Sequence, residues 1–336
     1  MTASAITRSR PAPALGPWLR WLARRIGLAI ATLWLVSILV FVGTSALGDP
    51  IRAVLGRNYN AEPGRVAQLR AQLQLDESWW HRYIDWLGGL LTGNPGTSIS
   101  SQQPVSELIG DRILNSAVLV VVAAAISIPL SFGIALLSTR LRASRVDSVI
   151  QVVLLGLASL PEFVVGLLLV AIFSTTVLTW LPAVTISAGG KQPWEQPSSM
   201  VLPIVTLVLA ISPYMIRIVR ATLLEVLSSD YVELARLKGV PERLVLRRHA
   251  LRNAVVPGIQ VTALQLAWLA GGVVMVEYLF SYPGVGASLV DSVRNSDFPM
   301  VQALSMVIAC VYVVVNLLAD LISILLTPKT RTEIAG

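Results

Sequence analysis

Side chains able to make or break bonds are few and scattered along this chain of 336 residues. The only cysteine, Cys310, lies in an apolar block, and the two histidines, His81 and His249, fall in different loops. Neither a disulfide framework nor a metal site built on cysteine or histidine is expected. Glu162, directly after Pro161, is the one acid near the middle of an apolar block. An enzyme working inside such blocks needs a convergent set such as Ser with His or paired carboxylates, and Glu162 stands alone. A phosphate-binding loop is missing too: Gly190-Lys191 is followed by Gln192, with Thr185 where the first glycine belongs. The chain is therefore read as a non-enzyme without a cofactor of its own.

What remains is a mechanical feature, the basic stretch from Ser229 to Pro257. Asp230 followed three residues later by Glu233 resembles a capping box, and good helix formers continue to Leu237. Gly239 suits the left-handed end of that helix, and Pro241 the first turn of another. Two short helices meeting at a Gly-Val-Pro bend form a knob, and a knob implies a partner that pushes on it.

The elements that hold this knob follow from composition. Apolar residues make up 54% of the chain and charged residues 13%, about half the charged share of a soluble domain. The apolar residues gather into six blocks at 26–47, 114–138, 148–174, 201–219, 254–276 and 300–327. Each supplies roughly the 20 residues that cross ~30 Å of hydrocarbon. The fold class expected is an all-α integral membrane protein with six transmembrane helices. Residues 1–25 and 328–336 are terminal tails, 48–113 a long outer loop, 175–200 a second one, 220–253 the basic loop, and 277–299 an apolar, turn-rich outer segment expected to gate the mouth. Arg8, Arg10, Arg20, Arg24 and Arg25 crowd the first tail, and Arg140, Arg142 and Arg145 the loop after the second block. With the arginines of the basic loop they place both termini inside, and they account for most of the net charge of +7 without invoking nucleic acid. A 22-residue first block with no small-residue cleavage site after it reads as a retained span rather than a signal peptide.

The long outer loop should carry structure of its own, since Trp79, Trp80, Tyr83, Trp86, Leu87 and Leu90 recur near helical spacing. Indole rings favour the headgroup level, so a helix along the interface or against the bundle is expected. Pro129, Pro161, Pro203 and Pro213 mark places where spans can kink. An unpaired charge at Glu162 would cost ~3 kcal/mol on insertion scales. Glu162 is therefore expected to face the bundle interior, pair, or be protonated, and with Pro161 it is a candidate for lining a translocation pathway.

The basic loop resembles the EAA loop of permease subunits of ATP-binding-cassette importers. That pattern stands here as Glu233-Leu234-Ala235, three residues, Gly239, and later Pro257. Leu234 departs from the second motif residue. The longer gap to Pro257, Lys238-Gly239 before the bend, and Arg248 to Asn253 after it are similar to the dipeptide/oligopeptide/nickel branch. The likeness covers nearly the whole chain. Gly48-Asp49-Pro50, Leu75-Asp76, Arg82-Tyr83, Pro104-Val105, Val276 to Gly286, Asp297-Phe298-Pro299, and Asn316-Leu317 with Asp320 follow the order of its B-type subunits. Gly93 to Ser98 and Thr327-Pro328-Lys329 depart in local detail.

The resemblance implies a type I importer permease of the bacterial inner membrane. It would work with a homologous second permease, two cytoplasmic ATP-binding subunits that would bind the ATP and Mg, and an extracytoplasmic substrate-binding protein. It implies ATPase coupling through Glu233, Ala235, Lys238, Gly239, Pro241 and Arg248. It also implies an outer gate at Glu277, Phe280, Pro283, Gly284 and Gly286. Small peptides are the expected cargo; nickel chelates, glutathione or another small solute are the alternative. A stand-alone channel or secondary carrier would show inverted repeats and more mid-membrane polar residues, and neither is visible.

Overall fold

The computed structural model describes residues 15–46, 64, 66, 67, 70, 76–185, 192–245 and 251–326. Eleven α-helices run through the described residues. They are α1 (Leu15–Ala46), α2 (Trp79–Leu91), α3 (Val105–Arg140), α4 (Arg145–Ser159), α5 (Glu162–Val170) and α6 (Pro197–Leu227). After them come α7 (Asp230–Leu237), α8 (Glu242–Leu244), α9 (Leu251–Leu279), α10 (Val285–Arg294) and α11 (Phe298–Leu326). Among the described residues the only β pairing is an isolated bridge, Thr97 with Pro104. Four helices, α1, α3, α6 and α11, are each long and apolar enough to cross a bilayer. Two bent pairs make six crossings if each counts as one: α4 with Glu162–Thr175, and the two halves of α9.

The stretch 148–174, read from sequence as one span that Pro161 could kink, is divided. α4 and the helix after it differ by 105° in direction. Pro161 is the cause: its ring disfavours helical geometry at Leu160, which adopts an extended φ of −93° and ψ of 134°. Pro129, Pro203 and Pro213 behave differently and lie inside continuous α3 and α6. Neighbouring packing sustains the helix across them.

α6 is the hub. It touches α3, α4, α5, α7 and α9, and 67% of its most apolar window is buried. The corresponding windows of α1 and α11 are 11% and 6% buried, so both helices present apolar surface outward. The main core joins Leu119 and Ala123 of α3, Leu207 and Ile211 of α6, and Leu269 and Val273 of α9. A second core at one end joins Ala135, Leu154, Val219, Leu223 and Leu227 to Val232 and Val245 of the basic loop. α1 is held to α11 by Arg25 and Asp320 (2.7 Å) and by a Gln302 amide donating to Thr44 (2.7 Å). The tryptophan-rich segment forms α2 and lies against α1: Tyr83 is buried, its hydroxyl is 2.8 Å from Ser37 Oγ, and its ring packs edge-on to Phe41.

Candidate functional site

Residues that could carry function gather at the two ends of the bundle. At the basic end α6 stops at Leu227 and α7 begins after Ser229. The expected capping box is not formed. Ser229, not Asp230, is the N-cap, and its hydroxyl donates backward to Val226 O (2.5 Å) instead of accepting from α7. Asp230 and Glu233 both lie in the opening turns of α7, where carboxylates favour the positive end of the helix dipole.

The far end of α7 is defined by its backbone. Gly239 has a φ of +77°; its N–H donates to Arg236 O (2.9 Å) and the Val240 N–H to Ala235 O (3.1 Å). These are the two hydrogen bonds of a Schellman cap, and they turn the chain sharply. Pro241 then serves as N-cap of α8 at a ψ of 141°, one position earlier than expected. Arg236 closes the elbow. Its guanidinium donates to both Glu242 oxygens (3.0 and 2.8 Å) and to Leu227 O (3.0 Å), tying α7, α8 and the end of α6 together. Arg236 thereby holds the Glu242 carboxyl below its ordinary range, and the Arg142 charge adds to the effect.

Burial divides α7 into two faces. Val232 and, beyond the elbow, Val245 are fully buried against the bundle, with Val240 packed beside them. Tyr231, Leu234 and Leu237, spaced three apart, point the other way, and Leu237 is 80% exposed. Leu244 adds a further exposed side chain. Of the residues expected here from sequence, Ala235 is half-buried, while Glu233, Lys238, Gly239 and Pro241 are exposed. Arg248 lies outside the described residues. The outward trio was not singled out in the sequence. Its signal was apolar side chains spaced by three on the solvent side of a short helix.

A buried ion pair beneath this end was also missed. Arg220 of α6 reaches Asp147 of α4 (2.6 Å), and Ser138 of α3 donates to the same carboxylate (2.5 Å). Gln151 in turn donates to Ser138 (3.0 Å). In the sequence Arg220 stands only as the first cation of the 220–253 loop.

The opposite end is built around two fully buried carboxylates. Glu277, near the end of α9, accepts from Ser116 Oγ of α3 (2.5 Å) and from the backbone N–H groups of Gly286 (2.7 Å) and Ala287 (3.4 Å). Ser116 also accepts from the Val285 N–H (2.8 Å). The first-turn amides of α10 are thus capped by side chains from two other helices. Both glycines follow from this arrangement: a methyl on Gly284 would lie 2.3 Å from the Glu277 carboxylate, and one on Gly286 2.4 Å from Val274 Cα. Phe280 and Tyr282 are buried in the main core. Tyr282 donates to Asn115 O (2.9 Å), Asn115 donates back to Pro283 O (2.8 Å), and the Thr185 N–H reaches Phe280 O (2.8 Å). Glu277, Phe280, Pro283, Gly284 and Gly286 therefore belong to one packed unit. The second carboxylate, Asp297, accepts from the Ser98 and Ser100 hydroxyls and from the Ile99 (3.1 Å) and Ser100 (3.3 Å) N–H groups. It fastens the loop before α3 to the start of α11.

Glu162 lies at the break in the third crossing. It occupies the first turn of α5 immediately after the break, is half-buried, and has no ion pair or hydrogen bond among the described residues. The helix N-terminus offers its charge partial compensation. Neither Glu162 nor Pro161 lines the apolar recess of about 450 Å³ that opens between α3, α9, α10 and α11, beside Val120, Leu266, Val311 and Val315.

A bundle of apolar crossings with a basic, stapled elbow at one end and a carboxylate-capped re-entrant helix at the other defines a membrane permease component. The chain belongs to the family described as binding-protein-dependent transport system inner membrane component. That family's model matches residues 127–332, and the model of the N-terminal part of these membrane components matches residues 18–120. The chain is therefore a permease of a binding-protein-dependent ATP-binding-cassette importer, in the branch indicated by its motifs. Its relatives include the glutathione transport system permease protein GsiC of Pectobacterium atrosepticum. That protein is 35% identical over 312 residues, covering 93% of this chain and 98% of the relative. GsiC of Escherichia coli K12 is 32% identical over 314 residues, covering 93% of this chain and 99% of the relative.

Proposed function

We propose that this chain carries the motion of a cytoplasmic ATPase into a peptide-conducting pathway, with α7 as the lever. The observation that supports this most directly is the division of α7. Val232 and Val245 bind it to the bundle end, while Tyr231, Leu234 and Leu237 offer an apolar face outward. A helix pinned on one side and exposed on the other transmits a push instead of absorbing it. Two ATP-binding subunits, a homologous second permease and an extracytoplasmic binding protein complete the machine. ATP then biases two packings of the crossings, which is alternating access.

The apolar lever face takes the main part of the ATPase contact in this reading, with Glu233, Ala235, Lys238, Gly239, Pro241 and Arg248 shaping and flanking it. In this reading both termini are cytoplasmic, which follows from the crowding of Arg20, Arg24, Arg25, Arg140, Arg142, Arg145, Lys238 and Arg243 in the first tail and the two basic loops. At the other end, the Glu277–Gly286 unit forms the outer gate and moves as one body with α10. Di- or oligopeptides are the cargo. Glutathione, itself a tripeptide, is the second reading, favoured by the names of the GsiC relatives.

The test joins substitution to transport. Leu234→Asp together with Leu237→Asp should leave the chain inserted and assembled with its permease partner. It should abolish co-purification of the ATPase and lower ATP-dependent uptake at least tenfold. Retention of the ATPase and of uptake would end the lever reading. Competition between labelled glutathione and unlabelled dipeptides in vesicles carrying the complete importer separates the two cargo readings.

A further inference from the structure

Beside the elbow lies a cavity of about 540 Å³ whose lining includes Arg140, Arg142, Arg236, Arg243, Glu242 and Thr139. The single carboxylate there is already committed, since Glu242 binds Arg236 through both oxygens. Arg140, Arg142 and Arg243 have no carboxylate within 4 Å among the described residues. Four guanidinium groups thus share one concave space with a single carboxylate, Glu242, which binds Arg236 directly and feels Arg142 only at longer range, so the described lining keeps a net positive charge. Arginine forks match the paired oxygens of a phosphate, and phosphate-bearing ligands are the usual occupants of such clusters.

The surroundings indicate which phosphate. Arg142 stands three residues before α4, and α4 leaves this point with Val146, Val149, Val152 and Val153 exposed, Val152 to 69%. An apolar helix face that starts at the rim of a cationic cavity matches a molecule with an anionic head and hydrocarbon tails. A free phosphate has no use for that face. A carboxylate of a partner protein would not need it either.

We infer that this cavity binds the phosphodiester headgroup of an anionic glycerophospholipid, with its acyl chains along α4. The lipid bridges the α3–α4 turn, through Arg140 and Arg142, to the elbow, through Arg243. The inference goes beyond the coupling reading and requires only that this end of the bundle meets a bilayer surface. A basic pocket of this kind at the end of membrane helices is a recognised setting for acidic headgroups.

The test uses the complete importer in nanodiscs of phosphatidylcholine, with or without phosphatidylglycerol. Retained lipid is read by native mass spectrometry and stability by melting temperature. The unaltered complex should retain phosphatidylglycerol and melt higher in its presence. Arg142→Gln should weaken that preference roughly fivefold, and the triple change Arg140→Gln, Arg142→Gln, Arg243→Gln on the order of a hundredfold, each arginine contributing alike. Arg217→Gln, an exposed change on α6 away from the cavity, should leave it unaltered. The inference fails if the single and triple variants keep full lipid preference. It fails also if inorganic phosphate added to phosphatidylcholine discs reproduces the rise in melting temperature, which would assign the cavity to a free anion. Loss of the ATPase subunits from the triple variant in both kinds of disc would assign the arginines to an acidic protein surface and overturn the lipid site. Failure of the lever reading looks different: it would leave the lipid preference intact while Leu237→Asp left the ATPase bound.

Discussion

The two ends of the bundle use glycine and carboxylate in opposite ways. At the α7 end, Gly239 has open space around its Cα and is needed only for its φ of +77°. Its neighbouring carboxylates, Glu233 and Glu242, are exposed. At the α10 end, Gly284 and Gly286 are needed because other atoms stand where a side chain would go. The carboxylates there, Glu277 and Asp297, are buried and saturated with donors. One end is shaped by backbone conformation and left exposed. The other is shaped by close packing and internal hydrogen bonds, so it behaves as a solid block.

That contrast sets the order of expected effects. Glu277→Ala should be the most damaging, since it leaves the Gly286 and Ala287 amides buried without an acceptor; about 3 kcal/mol is expected. The same change at Glu233 should cost under about 0.5 kcal/mol. Melting of the purified importer in one lipid mixture compares the two, and equal losses would break the comparison. Asp297→Asn should cost on the order of 2 kcal/mol by weakening four charge-assisted hydrogen bonds. Hydrogen exchange at the Ile99 and Ser100 amides should rise well before global unfolding, and unchanged protection would remove Asp297 from its fastening role.

Smaller effects belong to the elbow. Gly239→Ala forces a Cβ into the left-handed region and should cost about 1–2 kcal/mol locally, whereas Gly239→Asn should be better tolerated. Uptake should fall more than melting temperature does. Parallel losses in the two would make Gly239 merely structural.

The smallest effect is the pH dependence of the Arg236–Glu242 staple. Glu242 titrates below its ordinary 4.5 in the folded protein. Its contribution is therefore complete above that value and is lost as pH falls through the depressed folded value. Glu242 is 54% exposed, so solvent screening keeps the contribution below about 1 kcal/mol. Limited proteolysis at the elbow should accelerate only on the acid side of 4.5. A rise at neutral pH would contradict the assigned direction.

Much of this architecture can be read along the chain because its signals are local. Apolar blocks of spanning length, the α7 helix and its glycine stop each depend on residues within a few positions of one another. Pro161 is a local signal as well, yet its strength was not legible. Pro203 and Pro213 sit in a helix sheathed by neighbours and leave it continuous, whereas Pro161 coincides with a turn of 105°. The motif Val276 to Gly286 was visible as a unit, but not why its glycines are required. That reason lies in a Glu277 carboxylate folded back over Gly284 and a Val274 backbone pressed against Gly286.

The sequence by itself determined that this chain crosses a membrane several times, carries a stiff basic knob and holds no phosphate loop. Hydrophobic burial and backbone preference act over short stretches, and composition reports them directly. Only the tertiary structure decided which charges meet. Asp147 finds Arg220 across 73 positions, Asp297 finds Ser98 across 199, and Glu277 finds Ser116 across 161. Only the packed bundle could also decide that Val232 faces inward while Leu237 stays exposed. Such pairings depend on which helices α6 gathers around itself, and no local rule of spacing contains that information.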